Sequence, residues 1–271
     1  MQGASRESFA EARATLRSVV RAGTVDLPDL SRELFELAAL LDTEGPLRRA
    51  LTDPSRSGDD RAALAGAVLG DRVGSPTADV LAWAVRARWS SPRDLPDTLE
   101  LLAVDGLVAA AETNGRLDAL EDELFRIGRI VAGAPELRAA LSDRSAPVAS
   151  REALVARLLE GKVTEETALL VRQAVVAPRA RTFDRIMSEY VRVAAQRRDE
   201  MVATVTASVP LTEEQRGRLG SALARMYGHD VHLNVDVDPA VVGGIRVAIG
   251  DEIIDGSVIA RLDDARRRLV G

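Results

Sequence analysis

Residues 33–53, ELFELAALLDTEGPLRRALTD, return 90 positions later as residues 123–143, ELFRIGRIVAGAPELRAALSD. The alignment needs no gap as far as position 73, and 14 of the 41 positions from 33 to 73 are identical in the two copies. A composition rich in alanine, leucine and arginine gives fewer identities by chance. The chain therefore contains an internal repeat, and the repeated unit determines the fold.

Each copy of the repeat has the apolar spacing of helices. The apolar residues recur every three or four positions, which places them on one helical face. In the first copy they are Phe9, Ala12, Leu16, Val19 and Val20, followed by Leu30, Leu34, Leu37, Leu40 and Leu41. Gly45-Pro46 and Asp53-Pro54 interrupt this pattern, so a short turn of helix is expected between them. The segment 94–112 ends the first copy and, by the offset of 90, opens the second, so one helix could serve both.

The last 71 residues change from a helical period to a period of two. Residues 202–209 alternate and are β-branched, Thr212 begins a helix with a capping-box pattern, and residues 231–237 alternate again. Ile245 to Ile249 and Ile253-Ile254 form a predicted hairpin before a last helix from Val258. The predicted fold is mainly α with a small α+β C-terminal domain of order strand, helix, strand, strand, helix. Its predicted domains are a first bundle at 1–112, a second at 113–200, and the α+β unit at 201–271.

Composition excludes several classes of function. The chain has 271 residues, no cysteine and a formal net charge of −6, and Lys162 is its only lysine. Disulfides and thiolate metal sites are therefore excluded, and scattered arginines in an acidic chain argue against a nucleic-acid surface. Charged residues interrupt positions 1–15, and no stretch reaches the roughly 20 apolar residues of a membrane-spanning helix. A secretory leader and direct membrane insertion are therefore not expected.

Few residues suggest chemistry. His229 and His232 are the only histidines and flank a predicted turn, an arrangement that does not favour a metal site. Asp236 and Asp238 share one side of a strand and could act as a carboxylate pair, although a solvated strand edge explains them better. Gly243-Gly244 precedes a strand rather than a helix, which favours a tight backbone connection over a phosphate loop. No catalytic residue, metal or cofactor is predicted.

The C-terminal motifs resemble a known family. They run from Thr206 to Gln215 (TASVPLTEEQ), then Val235 to Pro239 (VDVDP) with Gly243-Gly244-Ile245, and Ile254 to Val258 (IDGSV) with Arg261-Leu262. In combination they closely resemble the delta subunit of F-type ATP synthase, the bacterial counterpart of the mitochondrial oligomycin-sensitivity-conferring protein. The family-motif residues, for which a structural role is expected, are Asp238, Pro239, Gly243, Gly244, Asp255, Gly256, Ser257 and Arg261.

The helical repeats also resemble that family's N-terminal helical domain, through Leu47-Arg48 and Asp53-Pro54 and their counterparts 90 residues on. This chain is nearly one repeat longer than the usual member, and the longer form resembles delta subunits of actinobacteria. The match to the second copy departs at Arg144, which replaces the proline.

The resemblance implies a non-catalytic stator subunit without cofactor, one copy per complex, peripheral on the cytoplasmic face of the cell membrane. Its implied partners are the N-terminal helices of alpha subunits and the C-terminal end of the b subunit. In the family an alpha helix lies in a groove between the first and fifth helices. Counting 94–112 as the fifth, the groove candidates are Phe9, Leu16, Val20, Leu99 and Leu102. The equivalent groove of the second copy would then lie between residues 94–112 and 183–198. Which copy binds alpha stays open.

Two other functions are compatible with parts of the sequence. A free-standing helical adaptor would bind amphipathic partner helices but would not need the C-terminal motifs. A hydrolase using Asp236 and Asp238 would lose activity on Asp236→Asn, whereas a connector would be almost unaffected.

Overall fold

A computed structural model describes residues 3–21, 23, 25–200, 202–227, 231–238, 241, 243–249 and 252–255. Within them the chain is mainly helical with one small mixed sheet, as the sequence predicts. The helices are α1 (Ala4–Arg21), α2 (Leu27–Thr43), α3 (Gly45–Leu51), α4 (Gly58–Leu69), α5 (Ser75–Arg86), α6 (Asp94–Thr113), α7 (Leu117–Gly133), α8 (Pro135–Ser142), α9 (Val148–Leu159), α10 (Glu165–Val176), α11 (Phe183–Glu200) and α12 (Glu213–Tyr227). The strands are β1 (Val202–Ala207), β2 (His232–Val237), β3 (Ile245–Ile249) and β4 (Glu252–Asp255).

The helices reproduce the 90-residue repeat. Adding 90 to both bounds of α2, α4 and α5 gives the bounds of α7, α9 and α10. Adding 90 to α1 gives 94–111, which lies within α6, and adding 90 to α6 gives 184–203, which overlaps most of α11. Helix α6 packs against α1, α2 and α5 of the first copy and against α7 and α10 of the second. Helix α6 is therefore the last helix of the first copy and the first helix of the second.

Burial of α6 follows from this double role. Of its 20 residues, 16 are buried, so the helix has no solvent-exposed face over most of its length. Its hydrophobic pattern is correspondingly continuous rather than one-sided, as expected for a helix surrounded by protein. Two of the buried residues are acidic, Glu100 and Asp105. These need buried partners, which α1 and the α10–α11 loop supply, as described below.

A glutamate performs the same task in each copy. The Glu33 carboxylate of α2 accepts a hydrogen bond from the Gly74 amide at 3.0 Å, immediately before α5. At the equivalent place, the Glu123 carboxylate of α7 accepts from the Thr164 amide at 2.9 Å, before α10. A carboxylate at a helix N-terminus satisfies a free amide and complements the helix dipole. The repeated Glu-Leu-Phe motif thus attaches the second helix of each copy to the start of its fifth.

A buried arginine is repeated as well. The Arg61 side chain of α4 donates to the Val85 carbonyl of α5 at 2.8 Å. The Arg151 side chain of α9 donates to the Val175 carbonyl of α10 at 2.5 Å. Both arginines are buried, and each occupies carbonyls at the C-terminal end of a helix. A cation placed there satisfies free carbonyls and the negative end of the helix dipole.

The segment after Gly45-Pro46 differs from the sequence prediction. A short turn of helix is expected, but Gly45–Leu51 forms the full helix α3, with proline in its first turn where a missing amide costs nothing. Arg48 of α3 donates to the Leu41 and Asp42 carbonyls at 2.7 and 2.8 Å, which ties α3 to the end of α2. In each copy the fifth helix is therefore α5 or α10. The helix at 94–113, counted as fifth in the sequence prediction, is the sixth of the first copy.

The chain divides into two compact units, Met1–Ala194 and Ala195–Gly271. The predicted boundaries 1–112, 113–200 and 201–271 stay predictions, since both helical copies lie within the first unit.

The second unit contains a four-stranded sheet of order β2-β1-β3-β4. Strand β1 pairs parallel to β2 and antiparallel to β3, and β3 pairs antiparallel to β4. Its buried core is apolar and consists of Ala203, Val205, Leu223, Val231, Val247 and Ile249. The expected hairpin after Ile249 is confirmed and supplies a fourth strand. The predicted last helix from Val258 lies outside the described residues.

Helices α2 and α6 approach each other closely at Gly106. A Cβ atom at this position would overlap the Ser31 hydroxyl oxygen of α2. Ser31 is fully buried, and its hydroxyl has no hydrogen-bond partner among the described residues. A glycine in the middle of a helix costs about 1 kcal/mol relative to alanine, so its presence here is explained by the contact.

We expect Gly106→Ala to lower the free energy of unfolding by about 1 to 3 kcal/mol, because overpacking a tight helix contact outweighs the gain in helix propensity. Ser31→Ala should relieve the overlap, so the double variant should be more stable than Gly106→Ala alone. Urea denaturation of the four proteins in this cycle measures the coupling. Additive effects would show that Ser31 and Gly106 do not limit the approach of α2 and α6.

Candidate partner-binding surfaces

The predicted groove residues divide into two groups. Leu16, Leu99 and Leu102 are almost entirely buried, because α1 packs directly against α5 and α6. Phe9 and Val20 of α1 are half-buried and keep surface that a partner could contact. In the described structure the three leucines stabilise the core. Partner binding by the five residues remains a prediction.

An apolar cleft lies between α2 and α10. It has a volume of about 490 Å³. Helix α6 contributes Leu107 to its lining, α2 contributes Phe35, and α10 contributes Leu169 and Val176. We call this site the α2–α10 cleft. Its remaining lining is Asp26, Pro28, Asp29, Arg32, Glu36, Ala39, Arg172, Gln173 and Ala177. The cleft thus combines an apolar interior with charges of both signs, which suits an amphipathic helix.

The first copy has different residues at the equivalent positions. Subtracting 90 from Leu107, Leu169 and Val176 gives Arg17, Asp79 and Arg86. Three apolar lining positions of the second copy are therefore charged in the first. Apolar surface is the main source of affinity for a docked helix, at about 25 cal/mol per Å² buried. At these three positions the first and fifth helices of the second copy are apolar, whereas those of the first copy are charged.

This cleft was not found from the sequence, although a signal exists. In the repeat alignment, leucine or valine of the second copy is aligned with arginine or aspartate of the first copy at these three positions. Their meaning depends on α2 lying next to the second copy, which no local pattern shows.

Glu100 is the centre of a buried ionic cluster. Arg179 donates to Glu100 Oε2 at 2.6 Å, Arg181 forms an ion pair with the same carboxylate, and Arg179 also pairs with Asp97. The Tyr190 hydroxyl donates to Glu100 Oε1 at 3.2 Å. Burial, followed by the neighbouring charge of Glu100, raises the pKa of Tyr190 well above its usual value, which keeps this donor protonated. Removing one partner of a buried ion pair lowers the free energy of unfolding by about 3 to 5 kcal/mol, because the other charge stays buried without compensation.

The ionic cluster holds an unusual loop between α10 and α11. Arg179 and Ala180 have φ of 47° and 63°, in the left-handed region that residues other than glycine rarely adopt. Such a backbone persists only where surrounding contacts determine it. The Arg179 bonds to Asp97, Glu100 and the Pro96 carbonyl supply these contacts. The loop therefore fixes the start of α11 to the N-terminal half of α6.

A second buried carboxylate fixes α10 to the α6–α7 turn. Glu166 Oε1 accepts hydrogen bonds from Arg116 at 2.6 Å and from Asn114 at 3.0 Å. Burial by itself would raise the pKa of Glu166. The bonds from Arg116 and Asn114 outweigh burial, so the pKa of Glu166 lies below its usual value. Ionised Glu166 is therefore part of the structure that holds α10, one wall of the α2–α10 cleft.

The family-motif residues of the second unit are only partly described. The Asp238 amide donates to the Ala207 carbonyl at 2.9 Å, which continues the β1–β2 pairing by one residue. Gly243 and Gly244 have φ of 66° and 81°, in the left-handed region that favours glycine. Asp255 is the last residue of β4. Pro239, Gly256, Ser257 and Arg261 lie outside the described residues.

The candidate chemical residues are not brought together. His232 and Asp236 are exposed on β2, an outer strand of the described sheet, and Asp238 is exposed directly after it. His229 lies outside the described residues. Within the described ranges no group of three or more histidine, aspartate or glutamate residues could hold a metal ion. In the same ranges, no helix has the length and apolar content that crossing a bilayer requires.

Comparison with known proteins gives a consistent result. The model of the family described as ATP synthase delta (OSCP) subunit matches residues 105–269. The ATP synthase subunit delta of Streptomyces avermitilis is 49% identical over 267 residues, 98% of each chain. That of Thermobifida fusca is 44% identical over 271 residues, the full length of both. A chain of the Toxoplasma gondii mitochondrial ATP synthase hexamer matches 62% of this chain and 95% of its own length, at 18% identity and a TM-score of 0.32.

Relatives matched over their whole length define the class as subunits of ATP synthase. This chain belongs to the ATP synthase delta (OSCP) subunit family and is, on that basis, a stator subunit of ATP synthase. The predicted resemblance to the longer delta subunits of actinobacteria is confirmed by relatives of the same length.

We expect Glu166→Gln to lower the free energy of unfolding at pH 7 by about 1 to 3 kcal/mol, since a charged buried acceptor is lost. A carboxylate with a lowered pKa stabilises fully above its ordinary value of about 4.3, and this contribution disappears as the pH falls through the lowered pKa. The difference between wild type and Glu166→Gln should therefore shrink on acidification. Urea denaturation at pH 7, 5, 4 and 3 measures it, with exposed Glu165→Gln as matched control. A difference independent of pH would contradict this role.

Proposed function

We propose that this stator subunit links the catalytic head to the peripheral stalk. Its first unit holds an N-terminal helix of an alpha subunit, and its second unit holds the C-terminal end of a b subunit. The proposal assigns no reaction to this chain. Membership of the delta family supports it, as do the apolar α2–α10 cleft and the exposed apolar residues of the second unit.

The alpha helix binds in the α2–α10 cleft rather than at the first copy. The observation that carries this assignment is the replacement of Arg17, Asp79 and Arg86 by Leu107, Leu169 and Val176 in the second copy. The family match supports it independently, because it begins at residue 105 within α6 and therefore spans the second copy. Helices α1 to α5 precede that match.

The cleft has a feature that a single-copy groove would lack. Helix α2 of the first copy forms one wall, with Phe35 almost fully buried at 7% exposure. A bound helix would therefore contact α2 as well as the second copy. This additional wall, which combines Pro28 and Ala39 with charged residues, increases the area buried and limits lateral movement of the bound helix, which suits a part that must resist torque.

The test is isothermal titration calorimetry, in which a synthetic peptide from the alpha N-terminus is titrated into the full chain and its dissociation constant is measured. Combining Leu169→Asp with Val176→Arg gives the second copy the residues of the first at two of the three positions. We expect the dissociation constant to rise by about 10- to 100-fold, because two aliphatic contacts of roughly 1.5 to 3 kcal/mol each are weakened.

The matched control is a change in the groove candidates of the first copy. Val20→Glu should leave the affinity for the alpha peptide unchanged. A loss of affinity with Val20→Glu and none with the cleft variant would move the alpha site to α1. Absence of binding by the wild-type chain would contradict the linking function.

The second unit exposes large apolar side chains that could hold the b subunit. Ile253 of β4 is 66% exposed, and Val209 after β1 is 63% exposed. We expect Ile253→Asp to raise the dissociation constant of a peptide from the b C-terminus by about tenfold. Surface plasmon resonance with the full chain immobilised measures it. Val68→Asp, at an exposed valine of α4, should not change it. Equal loss with both variants would indicate a general effect of charge rather than a site at β4.

A further inference from the structure

The two walls of the α2–α10 cleft belong to different repeat copies. Helix α2 comes from the first copy and α10 from the second, and both pack on α6, which contributes Leu107 to the lining. Walls held at a fixed separation lower the free-energy cost of binding, because less motion is lost when a ligand is bound. The contacts that hold α2 at its distance from α10 therefore influence what the cleft can bind.

Arg179 connects the two walls at one end of the cleft. It lies three residues after Val176, the last residue of α10. Its Nε is 3.7 Å from Oδ1 of Asp42, in the last turn of α2. The same guanidinium pairs with Glu100 at 2.6 Å and with Asp97, both of α6. The Arg179 side chain is only 7% exposed, so one buried cation joins the ends of α2 and α10 to the helix on which both pack.

This contact lies next to the lining of the cleft. Asp42 follows the lining residue Ala39 by three positions, and Arg179 follows the lining residue Val176 by three positions. Three residues are slightly less than one helical turn. The ion pair therefore closes the ladder of residues along α2 and α10 one turn beyond the last apolar contacts that the cleft offers.

The start of α10 is held in a different way. Glu166 in its first turn accepts hydrogen bonds from Asn114 and Arg116 of the α6–α7 turn, and neither donor belongs to α2. Helix α10 is thus fixed by buried ionic contacts at both ends. Of these two contacts, the one at Arg179 includes α2 and therefore bears on the separation of the walls.

The repeat equivalents lack these charges. Subtracting 90 from Arg179 gives Trp89, whose indole Nε1 donates to the Ala84 carbonyl of α5 at 2.9 Å. Adding 90 to Asp42 gives Ala132 of α7. Trp89 bonds back to the helix that it follows, whereas Arg179 reaches a helix of the other copy. The two charges are therefore specific to the pair of helices that form the cleft.

We propose that Arg179 is a positioning residue of the α2–α10 cleft. By pairing with Asp42, it holds the end of α2 at a fixed distance from the end of α10 and so sets the affinity of the cleft. Arg179 does not line the cleft, so it acts through the position of the walls. The identity of the bound segment, an alpha helix, rests on the proposed function, whereas the separation of the walls does not.

Two matched substitutions separate this role from a general effect of the ionic cluster. Asp42→Asn removes the α2 carboxylate that pairs with Arg179, and Glu189→Gln removes an α11 carboxylate that pairs with Arg181. The two side chains are similarly exposed, at 31% and 27%. We expect Asp42→Asn to raise the dissociation constant of the alpha peptide about three- to fivefold, the size expected for one partly exposed ion pair. Glu189→Gln should leave it unchanged.

Two further variants test the charges themselves. Asp42→Glu keeps the carboxylate and should retain most of the wild-type affinity. Arg179→Gln should raise the dissociation constant more than Asp42→Asn does, because the cation is lost from α6 as well as from α2. Urea denaturation of each variant measures the fraction folded, so that the dissociation constants refer to folded protein.

A distance measurement tests the separation of the walls without any ligand. The chain has no cysteine, so spin labels attach only to introduced ones. Labels at Thr43→Cys of α2 and Arg172→Cys of α10, both exposed in the structure, report the separation by double electron–electron resonance. We expect Asp42→Asn to broaden the distance distribution toward longer values and Glu189→Gln to leave it as in the otherwise unchanged chain.

Three results would overturn the proposal: a distance distribution unchanged by Asp42→Asn, a peptide affinity unchanged by it, or an equal loss of affinity with Glu189→Gln. A different result separates this inference from the proposed function. If the chain without these substitutions does not bind the alpha peptide, while Asp42→Asn still broadens the distance distribution, the proposed function fails and the role of Arg179 in holding the walls stands.

Discussion

The structure of the first unit depends on the burial of helix α6 by helices of both repeat copies. Helix α6 places 16 of its 20 residues out of solvent, and helices of both repeat copies pack on it. A repeat of this kind cannot bury its apolar face alone, and sharing a helix removes the need for a separate interface between the copies. The cost is two acidic residues in the core. Arg13 of α1 pairs with Asp105 at 3.2 Å, and Arg179 and Arg181 pair with Glu100.

The positions that are identical in the two copies include side chains that connect helices. Glu33 and Glu123 bind the start of the fifth helix, and Arg61 and Arg151 bind the end of the same helix, at positions 90 apart. Replacing one of these side chains would leave a backbone amide or carbonyl without its hydrogen bond, which explains why they remain identical. The helix surfaces are under no such constraint. Leu107 and Arg17, or Phe125 and Phe35, therefore occupy equivalent positions in different environments.

This division is consistent with a stator subunit. Hydrogen bonds between buried side chains and helix ends connect the helices within each copy, while the diverged helix surfaces differ in chemistry. The ionic cluster at Glu100 adds to the rigidity, because it fixes a loop with left-handed backbone at Arg179 and Ala180 to α6. In an object that transmits force, the useful properties are buried area and fixed geometry. Neither requires a catalytic group, a metal or a cofactor.

The sequence by itself determined the mainly helical class, the repeat of 90 and the α+β end, because helical spacing, turn residues and strand alternation are local properties. The reason for glycine at positions 243 and 244 could also be predicted from the sequence, since a tight connection before a strand favours a backbone that only glycine adopts easily. The last helix and part of the C-terminal motif lie outside the described residues, and the partner-binding residues remain predictions. Tertiary structure decided that Leu16, Leu99 and Leu102 belong to the core and that α3 is a full helix. It also revealed the cleft beside α10 and the exposure of Phe125. Periodicity shows which face of a helix is apolar, but only packing shows which apolar faces are covered, because burial depends on neighbours that are distant in sequence.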